Sequence, residues 1–381
     1  MRYLTHDLQR DLSKKVVLLS GPRQCGKTTL AKSLSSSATY FNWDIRTHKR
    51  DIREMAWPRT APLVILDELH KMPAWKNYLK GLSDESAAKP PIIVIGSARL
   101  DTFRRSGDAL TGRTFHYRLL PIDVEEAGLF FPDMSPSERL DRLIESGGFP
   151  EAFLNVADAE RLRNDRLEQV LREDLRDLSR TSALQSIDLL MELLRERVGS
   201  TISYSNLAGD IGVAPATIKS WIELLERLFI IFIVRPFARG LARSIRKEPK
   251  VFFYDCAAAF EKRADGARLE NAVACALLKQ CHWLTDRTGT RTQLHYFRDR
   301  DGHEVDFVVV RDRRILLCVE VKESDDAPTL GLRYANVKIK PAHSVQVVRN
   351  LVRERESGGI RVVPAGEWLA GLRDVFASES L

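Results

Sequence analysis

VVLLSGPRQCGKTT, residues 16–29, decides how the N-terminal third of the chain folds. Val16–Ser20 is a short apolar, β-branched run of strand length. A glycine-bounded loop follows it, and a helical stretch begins at Lys27. The spacing from Gly21 through Gly26, Lys27 and Thr28 fills the pattern G-x-x-x-x-G-K-[ST] at every fixed position. Glycines at those places let backbone N–H groups wrap a chain of phosphates. Gly21, Pro22, Arg23, Gln24, Cys25, Gly26, Lys27, Thr28 and Thr29 are therefore the candidate nucleotide-binding residues. Lys27 is expected on the β- and γ-phosphates, and the Thr28 hydroxyl on Mg²⁺.

The strands on either side carry the matching chemistry. In VILDEL, Val64–Leu69, an apolar run ends in two adjacent acids, and Asp67 falls 40 residues after Lys27. Asp67 is the candidate holder of Mg²⁺ through water, and Glu68 the candidate base for the attacking water. Ser97 ends the strand in IIVIGSARL, Ile92–Leu100, where it could touch the γ-phosphate or that water. Arg113, in LTGRTF, is a candidate for stabilising transition-state charge, in cis or from a neighbouring subunit of a homo-oligomer. Arg99, Arg104 and Arg105 compete for that role. TYFNW (Thr39–Trp43) and TFHYRLL (Thr114–Leu120) complete a strand–helix alternation that predicts an α/β unit with a parallel sheet over residues 1–120.

Residues 121–235 read as mostly helical. Within them, ISYSNLAGDIGVAPATIKSWIELLERLFIIFIV reads as helix, glycine turn, helix and strand, the order of a winged helix-turn-helix. Thr217, Lys219 and Ser220 could face DNA from its second helix, but Glu223 and Glu226 share the exposed side, which suits packing or docking equally. Residues 236–381 form a third region. The stretch 235–250 concentrates Arg235, Arg239, Arg243, Arg246, Lys247 and Lys250 against Glu248 alone, a candidate phosphate contact.

GPRQCGKT, the DEL–HK run at Asp67–Lys71, GSARL and TGR followed by RLLPI together resemble bacterial and archaeal AAA-type ATPases. With GGFPEAF (Gly147–Phe153), FFYDCA and LEN, they look like the group joined to a C-terminal domain of unknown function. The resemblance implies an additional-strand P-loop fold in which one strand lies between the phosphate-loop strand and the acid strand. It also implies ATP as the nucleotide. Cys25 departs from the group, where valine is more common, and a thiol there would make the loop sensitive to oxidation. Ala98 departs too, standing where a second small polar residue is usual.

The last region offers a second cluster. Glu270 lies on a helical stretch, Asp306 in VDFVVV, and Glu320 and Lys322 at the end of ILLCVEVK. This order resembles the PD-(D/E)XK nuclease core, a restriction-endonuclease-like α/β fold. Glu320 and Lys322 are two apart, so both point to one face of a strand. Glu270, Asp306 and Glu320 are candidate metal ligands, and Lys322 could activate a water that attacks phosphorus. The alternative is an inactive nuclease-like fold used for gripping or docking.

The formal charge of +7 on 381 residues fits an anionic partner, with DNA favoured over RNA. Five cysteines without a C-x-x-C pair disfavour a disulfide framework or structural zinc site. MRYLTHDLQRDLSKK has no signal-peptide core, and no apolar stretch is long enough to span a bilayer, so a cytoplasmic location without membrane attachment is expected. Two functions follow. One is an ATPase coupled to a nuclease acting on nucleic acid. The other is an ATP-controlled switch that binds DNA or protein through an inactive nuclease-like domain.

Overall fold

The computed structural model describes residues 2–86, 89–96, 110–174, 181–238, 248–259, 264–324 and 327–378. The chain divides into two compact units, residues 1–120 with 227–229, and residues 121–226 with 230–381.

The first unit is built on five parallel strands: β1 (Val16–Ser20), β2 (Thr39–Asn42), β3 (Val64–Asp67), β4 (Ile92–Ile95) and β5 (Thr114–Arg118). Their order in the sheet is β2-β3-β4-β1-β5. β4 thus lies between the phosphate-loop strand and the acid strand. Every residue of β1, β3 and β4 is buried, as expected for strands covered on both faces. Val16, Leu18, Val64, Leu66, Ile92 and Val94 share one face with Phe41, Trp43, Trp75 and Leu79. Parallel pairing sends all the carboxyl ends to one edge. Leu19 and Asp67 both pair with Ile95, so β1 and β3 end level with each other.

The second unit carries an eight-stranded mixed sheet in the order β12-β13-β11-β10-β9-β8-β6-β7. Its strands are β6 (Ile231–Pro236), β7 (Lys250–Phe253), β8 (Thr292–Arg298), β9 (Glu304–Arg311), β10 (Arg314–Lys322), β11 (His343–Val348), β12 (Arg355–Ser357) and β13 (Ile360–Pro364). The helix Ala264–Thr288 runs before β8, and the helix Leu330–Ile339 joins β10 to its parallel neighbour β11. The helices Tyr204–Ile211 and Pro215–Arg227 form the expected pair, with Gly212 in the left-handed conformation between them. Ile218, Trp221, Ile222 and Leu225 form its buried stripe. The strand that follows is not a separate wing. β6 enters the large sheet between β7 and β8, so the helical region and the C-terminal strands share one structure.

Three motifs far apart in sequence meet in this unit. Asp255 is buried and accepts hydrogen bonds from Arg163 Nε (3.1 Å) and Arg166 Nη2 (2.7 Å). Gly147 has φ +81°, and a Cβ there would stand 2.1 Å from Asp255 Oδ1, so GGFPEAF needs its first glycine to pack against the acid of FFYDCA. Asn271 clamps the same strand end: its side chain accepts from Phe253 N–H (2.9 Å) and donates to the Phe253 (3.0 Å) and Asp255 (3.3 Å) carbonyls. Burial alone would raise the Asp255 pKa, but Arg166 and Arg163 overcome it and hold the carboxyl below its usual range. Asp255 therefore stabilises the fold at neutral pH, and the contribution is lost as pH falls through that depressed value. Asp255→Ala removes the carboxylate that Arg163 and Arg166 share from a largely buried cluster. It is expected to lower stability by about 3–5 kcal/mol in urea unfolding at pH 7; an unchanged midpoint would show that the cluster contributes nothing.

Candidate functional sites

The loop after β1 is shaped by its glycines. Gly21 has φ +149°, and a Cβ would lie 2.2 Å from the Leu119 carbonyl oxygen. Gly26, at φ +90°, turns the chain into the helix Lys27–Ser33. Lys27 is buried, and its ammonium donates to the carbonyls of Gly21 (3.0 Å) and Pro22 (2.6 Å). Arg2 ties the loop down from the other side, donating to the Cys25 (2.9 Å) and Leu120 (2.6 Å) carbonyls. Arg23 is half-buried, and Gln24 and Thr29 are exposed.

Cys25 corrects the expectation of an oxidation-prone loop. Its side chain is fully buried, and Sγ lies 3.4 Å from the Leu119 carbonyl oxygen. The small thiol packs beneath the loop while its backbone stays part of the turn between Gly21 and Lys27.

Thr28 and Asp67 come together at the carboxyl edge of the sheet, with Thr28 Oγ1 donating to Asp67 Oδ2 at 2.9 Å. Tyr40, from β2, donates to the same oxygen at 3.0 Å. Burial raises the Asp67 pKa from its ordinary value, against the pull of these two hydroxyl donors. Glu68 sits in the left-handed region at φ +56°, a strained position for a non-glycine residue. Its backbone N–H donates to Ile95 O (2.9 Å), which locks the turn against β4. Lys71 holds the Glu68 carboxylate at 3.0 Å and Asp44 at 2.6 Å. Burial opposes the Lys71 charge, but the two carboxylates outweigh it and raise its pKa. Arg2, Tyr40 and Lys71 were not singled out in the sequence. Only the position of Lys71 after DEL carried a signal.

Arg113 is placed elsewhere. It precedes Thr114, which pairs with Val16, the first residue of β1. The loop follows the last residue of that strand, about 15 Å away at ordinary strand rise. Arg113 instead forms an exposed ion pair with Asp84 at 2.6 Å. It does not reach the phosphate loop of its own chain. Ser97, Ala98, Arg99, Arg104 and Arg105 lie outside the described residues.

The second cluster assembles within the other unit. Asp306 on β9 and Glu320 on β10 stand opposite each other, one step beyond the Phe307–Val319 pair. Glu320 Oε1 meets Lys322 Nζ at 2.9 Å, while its Oε2 is buried without a hydrogen-bond partner. Asp306 Oδ2 accepts from the Val321 N–H at 3.0 Å. Into the group comes Lys250, 4% exposed at its side chain. Its ammonium lies 2.8 Å from Glu304 Oε1, 3.3 Å from Glu270 Oε1 and 3.3 Å from Asp306 Oδ1. Burial disfavours that ammonium, yet Glu270, Asp306 and Glu304 more than compensate and raise its pKa. Burial, then the neighbouring Asp306 charge, push Glu270 up to about 8 and Glu320 up to about 7. Gly199 borders Glu270 so closely that a Cβ would stand 2.4 Å from Oε2.

Lys250 was expected to be a phosphate contact; the structure spends it inside the protein. Arg235 is half-buried in β6. Arg239, Arg243, Arg246 and Lys247 fall outside the described residues. Thr217 is half-buried, Ser220 is exposed, and Lys219 lies 4.0 Å from Glu223 on its own helix. No helix of the described residues is long and apolar enough to cross a membrane.

Comparison with known proteins finds three matched segments, two of which fall in the second unit. Residues 13–128 match the model of an AAA domain family. Residues 137–260 match a domain of unknown function (DUF8612), and residues 265–368 another (DUF4143). An uncharacterized protein of Mycobacterium tuberculosis is 26% identical over 247 residues, which is 63% of this chain and 54% of that one. One from Methanocaldococcus jannaschii is 23% identical over 304 residues, 66% of this chain and 62% of its own. The chain thus spans little more than half the length of these relatives. Among solved structures, a RuvB variant of Thermotoga maritima has a TM-score of 0.32 at 17% identity, covering 62% of this chain and 88% of that one. A STAND ATPase with a tetratricopeptide repeat sensor from Pyrococcus horikoshii has 0.31 at 15%, covering 76% and 46%. Scores this low assign nothing to the chain. The family match and the five-stranded parallel sheet together show an AAA-type P-loop fold in the first unit.

Burial of Cys25 has a direct test. Brief alkylation followed by mass spectrometry is expected to leave Cys25 unlabelled in the folded chain and labelled after unfolding. Equal labelling in both states would place the thiol at the surface.

Proposed function

We propose that the chain binds ATP with Mg²⁺ and hydrolyses it in the unit of residues 1–120. We further propose that nucleotide state governs how a nuclease-like second unit holds nucleic acid. The observation that carries the first part is the meeting of Thr28 and Asp67 at 2.9 Å, at the edge where the Lys27 loop ends. Asp67 is buried and bonded to two neutral hydroxyls, and among the described residues no cationic side chain is paired with it. That donor set fits a divalent cation, which Thr28 and Asp67 would hold. Bound there, Mg²⁺ would supply charge neutralisation at the β- and γ-phosphates.

The chain's own groups have distinct tasks. Backbone N–H groups from Gly21 to Thr28 would cradle the phosphates. Lys27 would exchange the Gly21 and Pro22 carbonyls for phosphate oxygens. Glu68 would orient the attacking water and take its proton. Its Lys71 partner, itself tied to Asp44, fixes where that carboxylate waits. An arginine acting on transition-state charge would have to come from another position or another subunit, because Arg113 stands at the far end of β1 and β5.

The nuclease-like reading of the second unit is supported by its order of helix, three strands, helix and strand from Ala264 to Val348. It is also supported by the approach of Glu270, Asp306, Glu320 and Lys322 to one place. Nucleic acid as partner is supported by the charge of +7.

ATP hydrolysis by purified wild type and Glu68→Gln, with and without duplex DNA, tests the proposal. Glu68→Gln is expected to lower kcat by about 10²–10⁴ while retaining nucleotide binding. Equal turnover would remove Glu68 from the chemistry. Turnover indifferent to DNA would redirect the partner to protein.

A further inference from the structure

We infer that Lys250 is the resident cation of the C-terminal carboxylate cluster, standing where a nuclease of this type would hold a divalent metal, so that the unit grips nucleic acid without cutting it. The inference rests on the nuclease-like reading of the second unit and is independent of ATP hydrolysis.

A metal centre built from Asp306 and Glu320 needs carboxylate oxygens free to face a cation. Here Asp306 has both oxygens engaged, Oδ1 by Lys250 at 3.3 Å and Oδ2 by the Val321 N–H at 3.0 Å. Glu270 Oε1 also faces the ammonium at 3.3 Å, and Glu304 Oε1 does so at 2.8 Å. One ammonium therefore bridges three carboxylates contributed by a helix and a strand, as a metal ion would. An ammonium offers three donors and one charge, and lacks the Lewis acidity that activates water. The present donor set does not fit a divalent ion while Lys250 stays.

The backbone keeps it there. Lys250 opens β7, which pairs with β6 on one side. On the other side the segment 198–201 bridges to Val251 and Lys250. Gly199 N–H donates to the Val251 carbonyl at 3.1 Å, and Ile202 N–H to the Pro249 carbonyl at 2.8 Å. Gly199 also closes over Glu270, leaving no room even for a methyl group. A buried lysine anchored on both sides by backbone bonds has little freedom to yield its place.

One acid remains poised. Glu320 Oε2 is buried and unpartnered, and Glu320 is 6% exposed. Removing the ammonium would free Asp306 Oδ1 and Glu270 Oε1 to join it as ligands. Lys250→Met keeps an unbranched side chain one heavy atom shorter and deletes the charge, so it should convert the cluster into a divalent-cation site.

The test is Mn²⁺ binding by the full-length chain without nucleotide, measured from the free-ion resonance in electron paramagnetic resonance, together with thermal melting with and without Mn²⁺. Cations held at groups such as Asp299, Asp301 and His303 cancel in the difference between variants. Lys250→Met is expected to bind one more ion per chain than wild type, to melt higher with Mn²⁺, and to lose both gains when Asp306→Asn is added. If Lys250→Met does not fold alone, Lys250→Met with Glu304→Gln carries one less carboxylate and gives the same comparison. No gain in Mn²⁺ by either variant would overturn the inference. So would wild-type Mn²⁺ binding, or wild-type cutting of DNA, that Asp306→Asn abolishes. ATP turnover in the same samples reports separately on the first unit.

Discussion

A charge removed from water must find its opposite, and that constraint organises the second unit. Three buried charges each draw together elements far apart in sequence. Lys279, on the helix Ala264–Thr288, meets Asp123 at 2.9 Å and also pairs with Glu126. Asp255, past the end of β7, takes Arg163 and Arg166 from the helix Ala159–Asp174. Lys250 takes Glu270, Glu304 and Asp306. Each tie joins the strands or the long helix to a partner that hydrophobic contact alone would leave free to slide. Breaking such a pair strands a buried charge. The helical region and the C-terminal sheet therefore form one unit instead of two.

The first unit solves a different problem. It brings together a hydroxyl from one strand–helix junction and a carboxylate from another. With β4 inserted between them, β1 and β3 lie about 10 Å apart. The helix after the phosphate loop spans that gap and delivers Thr28 to Asp67. The adjoining Glu68 accepts a left-handed backbone, held by its N–H bond to Ile95. Strain of this kind persists where surrounding structure imposes it, here by strands buried on both faces.

These two units were unequally legible. Continuous apolar runs marked β1, β3 and β4 because parallel strands covered on both faces tolerate few polar residues. The loop pattern fixed Gly21 and Gly26 because each needs a backbone conformation or an approach that a side chain forbids. β11 was harder to read: Ser344 and Gln346 interrupt HSVQVV, yet both are buried, Gln346 accepting from Thr329 N–H and donating to Ala327 O. Period-two alternation correctly put Glu320 and Lys322 on one face, since they meet at 2.9 Å. It could not reveal Lys250, which arrives from another strand 56 positions before Asp306 and in the sequence is one of six basic residues between 235 and 250. Arg113 was misplaced only as a candidate for the loop of its own chain. Proximity in sequence to TGR motifs says nothing about which end of a strand a side chain occupies.

The two carboxylate sites differ in the kind of partner each acid meets. Asp67 ends β3 and Asp306 lies within β9, and both accept hydrogen bonds that satisfy an oxygen. Asp67 receives hydroxyls, neutral donors that leave its negative charge available to a divalent ion. Asp306 receives an ammonium, which satisfies its geometry and its charge together. Both sites are carboxylates at buried strands, and nothing in the residue type alone tells them apart. Under the proposed reading the charge of the nearest partner is what separates the two acids, and in each case that partner comes from a distant part of the chain.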